Sequence, residues 1–182
     1  MRSSNGAALL VAFAVALAID ILSKLWVESH VELGTRTYLA GGVLQITHVR
    51  NPGSAFGMFV DVPQRWRTIG FAFVSVCAVA VIFSFFRRLA PGDRRNTAAL
   101  GLILGGTIGN LVDRLWRQGE VIDFMHVRVW QGYPWPDFNF ADVFIVVGVG
   151  ALILDLLVSE ADARAAAPTS GGVEPAPPTE KS

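Results

Sequence analysis

The sequence predicts a mainly α-helical integral membrane protein with four transmembrane helices and a small extracytoplasmic β-sheet in its outer loops. Three observations carry that prediction. Four stretches approach the length and apolar character of a membrane span, hydrophobic residues make up 52% of the 182-residue chain against 16% charged, and strand-like patterns fall between the spans. The length suits one domain of ordinary size. With 15 basic and 15 acidic residues the net charge is zero, so no basic field points to nucleic acid and no such partner is expected. A single cysteine, Cys77, leaves no internal disulfide and no multi-cysteine metal site.

The first span covers about residues 7–27. Arg2, an apolar run and the small residues Ala14, Ala16 and Ala18 also suit a cleavable signal peptide. Ile19, Ile21, Leu22, Leu25 and Trp26 carry the apolar run past those sites, so we read a retained span. The second span, about 68–86, contains no charge. The third, about 97–115, is Gly-rich, with Gly101, Gly105, Gly106 and Gly109 at spacings that suit close helix packing. The fourth, about 140–158, is apolar from Phe144 onward except for Asp155. Roughly 20 residues at ~1.5 Å rise cross a hydrocarbon layer of ~30 Å.

Arg87, Arg88, Arg94 and Arg95 crowd the turn around Pro91-Gly92-Asp93, a pattern that suits a cytoplasmic loop. Both termini are then cytoplasmic, and two loops of about 28–67 and 116–139 lie outside. In these loops, 43–49 and 36–39 carry strand signals around Gly41-Gly42, and 127–130 carries a third. Trp26, Trp66, Trp116, Trp130 and Trp135 fall near span ends or in outer loops, where interfacial aromatics belong. The Ala-, Pro-, Gly- and Thr-rich tail, 161–182, is expected to be disordered, leaving 1–160 as the folded unit.

Charged groups within spans are costly and mark function. If sequential spans alternate in direction, the C-terminal ends of the first and third lie with the N-terminal end of the fourth. Asp20, Lys24, Asn110, Asp113, Arg114, Asp123 and Asp142 therefore converge on one face of the membrane. Asp20 and Lys24 share a helix face at i,i+4; they form either a salt bridge that eases burial or a direct part of the chemistry. Arg114 is expected to organise carboxylates in a bidentate grip. Asp142 opens a helix, where its charged form is favoured, whereas Asp123 sits beside Val121, Ile122 and Phe124, which disfavour charge by desolvation. Brought together, the two would share a proton, one activating water and the other protonating a leaving amide nitrogen. On position alone, a helix-capping Asp142 and a solvated loop Asp123 is the preferred reading.

Other chemistries lack their patterns. There is no H-E-x-x-H, and His30, His48 and His126 lack ligand spacing, so no metal is expected. There is no G-x-S-x-G, and Ser54 lies in a glycine-flanked turn rather than at a nucleophile's position. Cys77, amid an apolar span, reads as a packing residue. A proton-coupled transporter would want acids near the midplane, where only Asp155 offers itself; a non-enzymatic interaction protein would leave the ordered polar blocks without a task.

Five of those blocks, in order along the four spans, resemble the bacterial lipoprotein signal peptidases (signal peptidase II). Asp20-Ile21-Leu22-Ser23-Lys24 is similar to that family's D-x-x-[ST]-K element. Asn51-Pro52-Gly53-Ser54-Ala55-Phe56-Gly57 is similar to its N-x-G-x-[AS]-F loop, with Pro52 and Ser54 as departures. Gly105-Gly106-Thr107-Ile108-Gly109-Asn110-Leu111-Val112-Asp113-Arg114 is similar to its G-G-x-x-G-N-x-x-D-R helix end. Val121-Ile122-Asp123-Phe124 and Phe138-Asn139-Phe140-Ala141-Asp142 are similar to its V-x-D-F and F-N-x-A-D blocks. The resemblance implies an intramembrane aspartyl endopeptidase with Asp123 and Asp142 as the catalytic pair. It implies Asn51, Gly53, Asn110, Arg114 and Asn139 as residues that line or organise the site, and Asp20, Lys24 and Asp113 as their supports. The implied substrates are prolipoproteins carrying diacylglycerol on a cysteine, cut on the N-terminal side of that cysteine in the inner membrane among its phospholipids. The implied site lies near the outer face, acts in a monomer and needs no cofactor.

Overall fold

The computed structural model describes residues 2–39, 43–53, 59, 61–128 and 135–166. Its elements run α1 (Arg2–His30), β1 (Arg36–Leu39), β2 (Leu44–Asn51), α2 (Gln64–Arg88), α3 (Arg94–Trp116), β3 (Val121–Val127) and α4 (Phe140–Ala166). All four helices are long and apolar enough to cross a membrane, α1 from Asn5 onward. Their outer surfaces carry the apolar side chains, among them Leu10, Leu22, Phe73, Val76, Val146 and Leu154, while Asp20, Lys24, Thr97, Asp113 and Asn139 are buried between them. That inside-out distribution is what a lipid solvent selects.

Helix α3 is the hub, packing against α1, α4 and α2. Its glycines make this possible. A Cβ on Gly105 would stand 2.7 Å from the Ala16 Cβ and 2.9 Å from the Phe13 carbonyl oxygen, and one on Gly109 would run into the Asp20 carboxylate. The small-residue stripe therefore brings α1 close enough for its polar side chains to reach α3.

The turn between α2 and α3 closes one end of the bundle. Asp93 caps α3 through the Asn96 N–H at 3.1 Å, and Asn5 of α1 spans the turn, donating to the Ala90 carbonyl at 2.9 Å and accepting from the Gly92 N–H at 3.0 Å. Asn96 also donates to Asp155 of α4 at 2.8 Å, so that carboxylate belongs to this end.

At the opposite end lies an antiparallel sheet in the order β1-β2-β3. Arg36 faces Thr47 across the first pair; Val49 faces Asp123 and Asn51 faces Val121 across the second, with a register shift between Ile46 and Val49. The third strand lies earlier than the expected 127–130, and Asp123 is a strand residue rather than a loop acid. Val121, Ile122 and Phe124 are buried, the latter two packing with Val27 of α1, and this outweighs the low strand preference of aspartate. Val129 and Trp130 fall outside the described residues, as do Gly41, Gly42 and Ser54.

Two further expectations change. Helix α4 continues through Ala166 instead of ending near 158, because the Ala-rich stretch that follows forms helix readily and Glu160 pairs with Arg164 at i,i+4, 3.4 Å apart. The rest of the tail, 167–182, lies outside the described residues. Cys77 is exposed on α2 rather than packed inside the bundle. Trp26, Trp66, Trp116 and Trp135 are all largely exposed, around the sheet end.

Candidate active site

A cavity of about 520 Å³ opens between the helix ends and the sheet, lined by Asn51, Asn110, Arg114, Asp123, Asn139 and Asp142 with an apolar wall that includes Trp135, Val143, Val146 and Val147. Each polar residue arrives from a different part of the chain. Asn51 ends β2, Asp123 lies in β3, Asn110 and Arg114 stand one turn apart on α3, Asn139 directly precedes α4 and Asp142 lies in its first turn.

Asn139 binds the two acids into one network. Its Oδ1 accepts the Asp142 N–H at 3.1 Å while Asp142 Oδ2 accepts the Asn139 N–H at 3.3 Å, a reciprocal capping arrangement at the start of α4. The Asn139 Nδ2 then donates to Asp123 Oδ1 at 2.7 Å and to Asn110 Oδ1 at 3.2 Å. Asn110 Nδ2 donates to Asp142 Oδ1 at 2.8 Å. On the other side Asn51 Nδ2 donates to Asp123 Oδ2 at 2.8 Å, since its own Oδ1 is occupied by the Gly53 N–H at 2.8 Å. Asn51 and Asp123 are diagonal neighbours on one sheet face, which explains how a loop-edge amide reaches a strand carboxylate.

Gly53 stands behind Asn51 rather than in the cavity wall. Its φ of 84° is the left-handed region, and a Cβ there would run into the Phe71 ring. That ring in turn lies 4.5 Å beneath the Arg114 guanidinium. Arg114 donates from Nη1 to the Asn110 carbonyl at 3.1 Å. It therefore does not grip either aspartate as expected: it is held over Phe71 and braces α3, adding positive charge to the cavity wall.

The supporting residues form a second layer. Lys24 bonds Asp20 at 2.7 Å, Asp113 at 2.9 Å and Asn110 Oδ1 at 3.0 Å. Asp113 also pairs with Arg117 at 2.7 Å, and Arg117 with Glu28 at 2.7 Å. Asp20, Lys24 and Asp113 do not line the cavity; all three are almost fully buried. Of the open readings of Asp20 and Lys24, the salt bridge is the one formed. Arg117, Glu28 and Phe71 were not singled out from the sequence. Arg117 follows Asp113, and Glu28 follows Lys24, by four residues, the spacing that linked Asp20 to Lys24. Phe71 offers no such signal within its uniformly apolar helix.

Asp123 is 3% exposed, and burial pushes its carboxyl up to about 7. The Asn51 hydrogen bond opposes that rise, the nearby Asp142 charge adds to it, and the Asn139 bond and the Lys24 charge oppose it in turn. A carboxyl that holds its proton near neutrality, beside a second carboxyl in a shared cavity, is equipped for acid–base chemistry. Among the described residues no group of His, Cys, Asp and Glu side chains is arranged to hold a metal ion.

The chain matches the family model described as Signal peptidase (SPase) II over residues 12–158. A protein named lipoprotein signal peptidase from Syntrophus aciditrophicus is 37% identical over 148 residues, 81% of this chain and 91% of the relative. Its namesake from Geobacter sulfurreducens is 40% identical over 145 residues, 80% of this chain and 88% of the relative. Two solved structures described as bacterial membrane enzymes share the fold, with TM-scores of 0.73 and 0.72 at 24% and 26% identity. They match 90% and 82% of this chain and 94% and 92% of their own. A match that begins inside α1, ends inside α4 and takes in every residue around the cavity makes this chain a member of the signal peptidase II family, a multi-pass membrane peptidase.

Proposed function

We propose that this protein is an intramembrane aspartyl endopeptidase that removes signal peptides from diacylglyceryl-modified prolipoproteins, cutting on the N-terminal side of the lipid-bearing cysteine. The observation that carries the reading is the pair Asp123 and Asp142, drawn from β3 and α4, on one cavity and joined through Asn139. Both oxygens of Asp142 accept N–H bonds, from Asn110 and from the Asn139 backbone, which suits the member that acts as base. Asp123, buried and proton-holding, suits the acid.

The protons then balance. Water loses one proton to Asp142 as its oxygen bonds to the scissile carbonyl carbon, and Asp123 gives its proton to the amide nitrogen as the C–N bond breaks. The products are a carboxylic acid and an amine. The pair recovers its starting state when the proton on Asp142 passes back to Asp123. Arg114, held at the cavity wall by Phe71, lies where it can favour the charge that develops on the carbonyl oxygen.

The substrate follows from the surroundings. The cavity combines polar groups at the helix ends with an apolar wall of Val143, Val146 and Val147 on α4. A lipid-anchored cysteine holds its neighbouring peptide bond at headgroup level, where water is available, while the signal helix stays in the hydrocarbon. The four arginines of the α2–α3 turn support cytoplasmic termini and a site near the outer face of the bacterial inner membrane. A single chain supplies every residue of the cavity, which suits a monomer.

The experiment is incubation of the purified protein with a diacylglyceryl-modified prolipoprotein and, separately, with the same precursor unmodified. Cleavage confined to the modified precursor is expected. Equal cleavage of both, or of neither, would contradict the reading.

A further inference from the structure

We propose that Lys24 is a positioning residue for the aspartate pair: it fixes which way the Asn110 side-chain amide faces and so delivers an N–H to Asp142. The inference rests on the reading of Asp123 and Asp142 as the acting pair. An ammonium group has three protons and no lone pair. Lys24 donates to Asp20 Oδ2 at 2.7 Å and to Asn110 Oδ1 at 3.0 Å, and it is ion-paired with Asp113 Oδ2 at 2.9 Å. Because it can only donate, Asn110 turns its oxygen toward Lys24, where it also accepts from Asn139 Nδ2 at 3.2 Å, and this leaves the Asn110 Nδ2 facing Asp142 Oδ1 at 2.8 Å. Reversing the amide would set an NH2 group against the buried ammonium and a carbonyl against the carboxylate, two repulsions in place of two hydrogen bonds.

The ammonium is itself fixed relative to both acids. Asp20 Oδ1 accepts the N–H of Ala141, the residue before Asp142, at 2.9 Å. Asp113 Oδ2 accepts the N–H of Ile122, the residue before Asp123, at 3.3 Å. One cation at 1% exposure thus holds two carboxylates, each anchored to the backbone beside one member of the pair. Arg117, which caps the C-terminal end of α3, balances the charge of Asp113 from the far side at 2.7 Å. Lys24 does not line the cavity; apart from its charge, which opposes the rise at Asp123, its effect on the chemistry passes through Asn110 and these anchors.

The test removes the lysine without stranding a charge. In the Asp20→Asn/Lys24→Met double variant Arg117 still pairs with Asp113, and the new side-chain carbonyl can still accept from Ala141. Cleavage of a diacylglyceryl-modified prolipoprotein should fall about 100-fold in kcat with KM within about twofold. The same pair of changes in an Asn110→Ala background should lower kcat by no more than about threefold further, because the route through Asn110 is already gone. A larger further loss, or an Asp20→Asn/Lys24→Met variant with wild-type kcat, overturns the inference. Asn110→Asp is an independent check that needs no folded Lys24 variant: it can accept from Lys24 but cannot donate to Asp142, and it should lose about 100-fold in kcat. Retained activity there also overturns it. Asp142→Asn serves as control in the same assay. If that variant cleaves normally, the reading of the pair fails; if it is inactive while Asn110→Asp is active, only the role of Lys24 fails.

Discussion

On the proposed reading, turnover at neutral pH depends on Asp123, whose carboxyl is pushed up to about 7 because the strand that bears it is buried. The acid role requires the protonated form, present below that value and lost above it, so kcat should decline along an alkaline limb centred near 7. Asn51 pulls the other way by donating to the ionised carboxylate. Asn51→Leu should therefore move that limb to higher pH, read as the midpoint of the kcat–pH profile with Asp142 and Arg114 unaltered; a limb that stays or moves down would contradict the assignment. Much of this was legible in the residues themselves: Val121, Ile122 and Phe124 announce desolvation around Asp123, and the i,i+4 step announces the Asp20–Lys24 pair. Arg114 was misread. Spacing shows a guanidinium close to two acids, but the ring it rests on belongs to α2, and nothing in that apolar helix distinguishes Phe71 from its neighbours.

Among the elements, α3 decides how closely the others approach, and its glycines are the reason. Gly109 abuts the Asp20 carboxylate, which cannot step aside because Lys24 and Ala141 hold it. Gly109→Ala should then cost about 1–3 kcal/mol by overpacking. The check is a thermal melt in detergent, with loss of activity in parallel; an unchanged melt would mean that α1 is free to shift. The glycine spacing in the sequence already pointed to close packing, and the four spans were legible from their apolar lengths. The third strand was not, since a run holding an aspartate and a histidine reads as loop until Val27 and Phe140 are seen to cover it. The end of α4 was misplaced for a related reason: composition marked 161–182 as tail, yet its first residues are helix formers that extend an existing helix at little cost.

Across the whole molecule the two ends of the bundle have separate tasks. One is locked by the Asn5 bridge and the Asn96–Asp155 bond, and the other carries the sheet and the cavity. Helix α4 connects them and continues away from the cavity toward Ala166, so removal of 167–182 should leave kcat and KM within about twofold of the full chain; a severe loss would mean that this segment reaches the site. The convergence of the acids on one face needed only the alternation of four spans, which is why so much of the site could be placed before any coordinates. How the acids are joined could not: the resemblance already implied Asn110 and Asn139 as site residues, but an uncharged amide gives no sign in sequence of which partner it bonds.

The central claim is that Asp123 and Asp142 act together on one peptide bond. Its most direct measurement is the single-turnover rate of purified Asp123→Asn and Asp142→Asn on a diacylglyceryl-modified prolipoprotein, with helical content and melting followed in the same samples. Both variants should stay folded and lose cleavage to background. Cleavage near the wild-type rate by either folded variant would contradict the account.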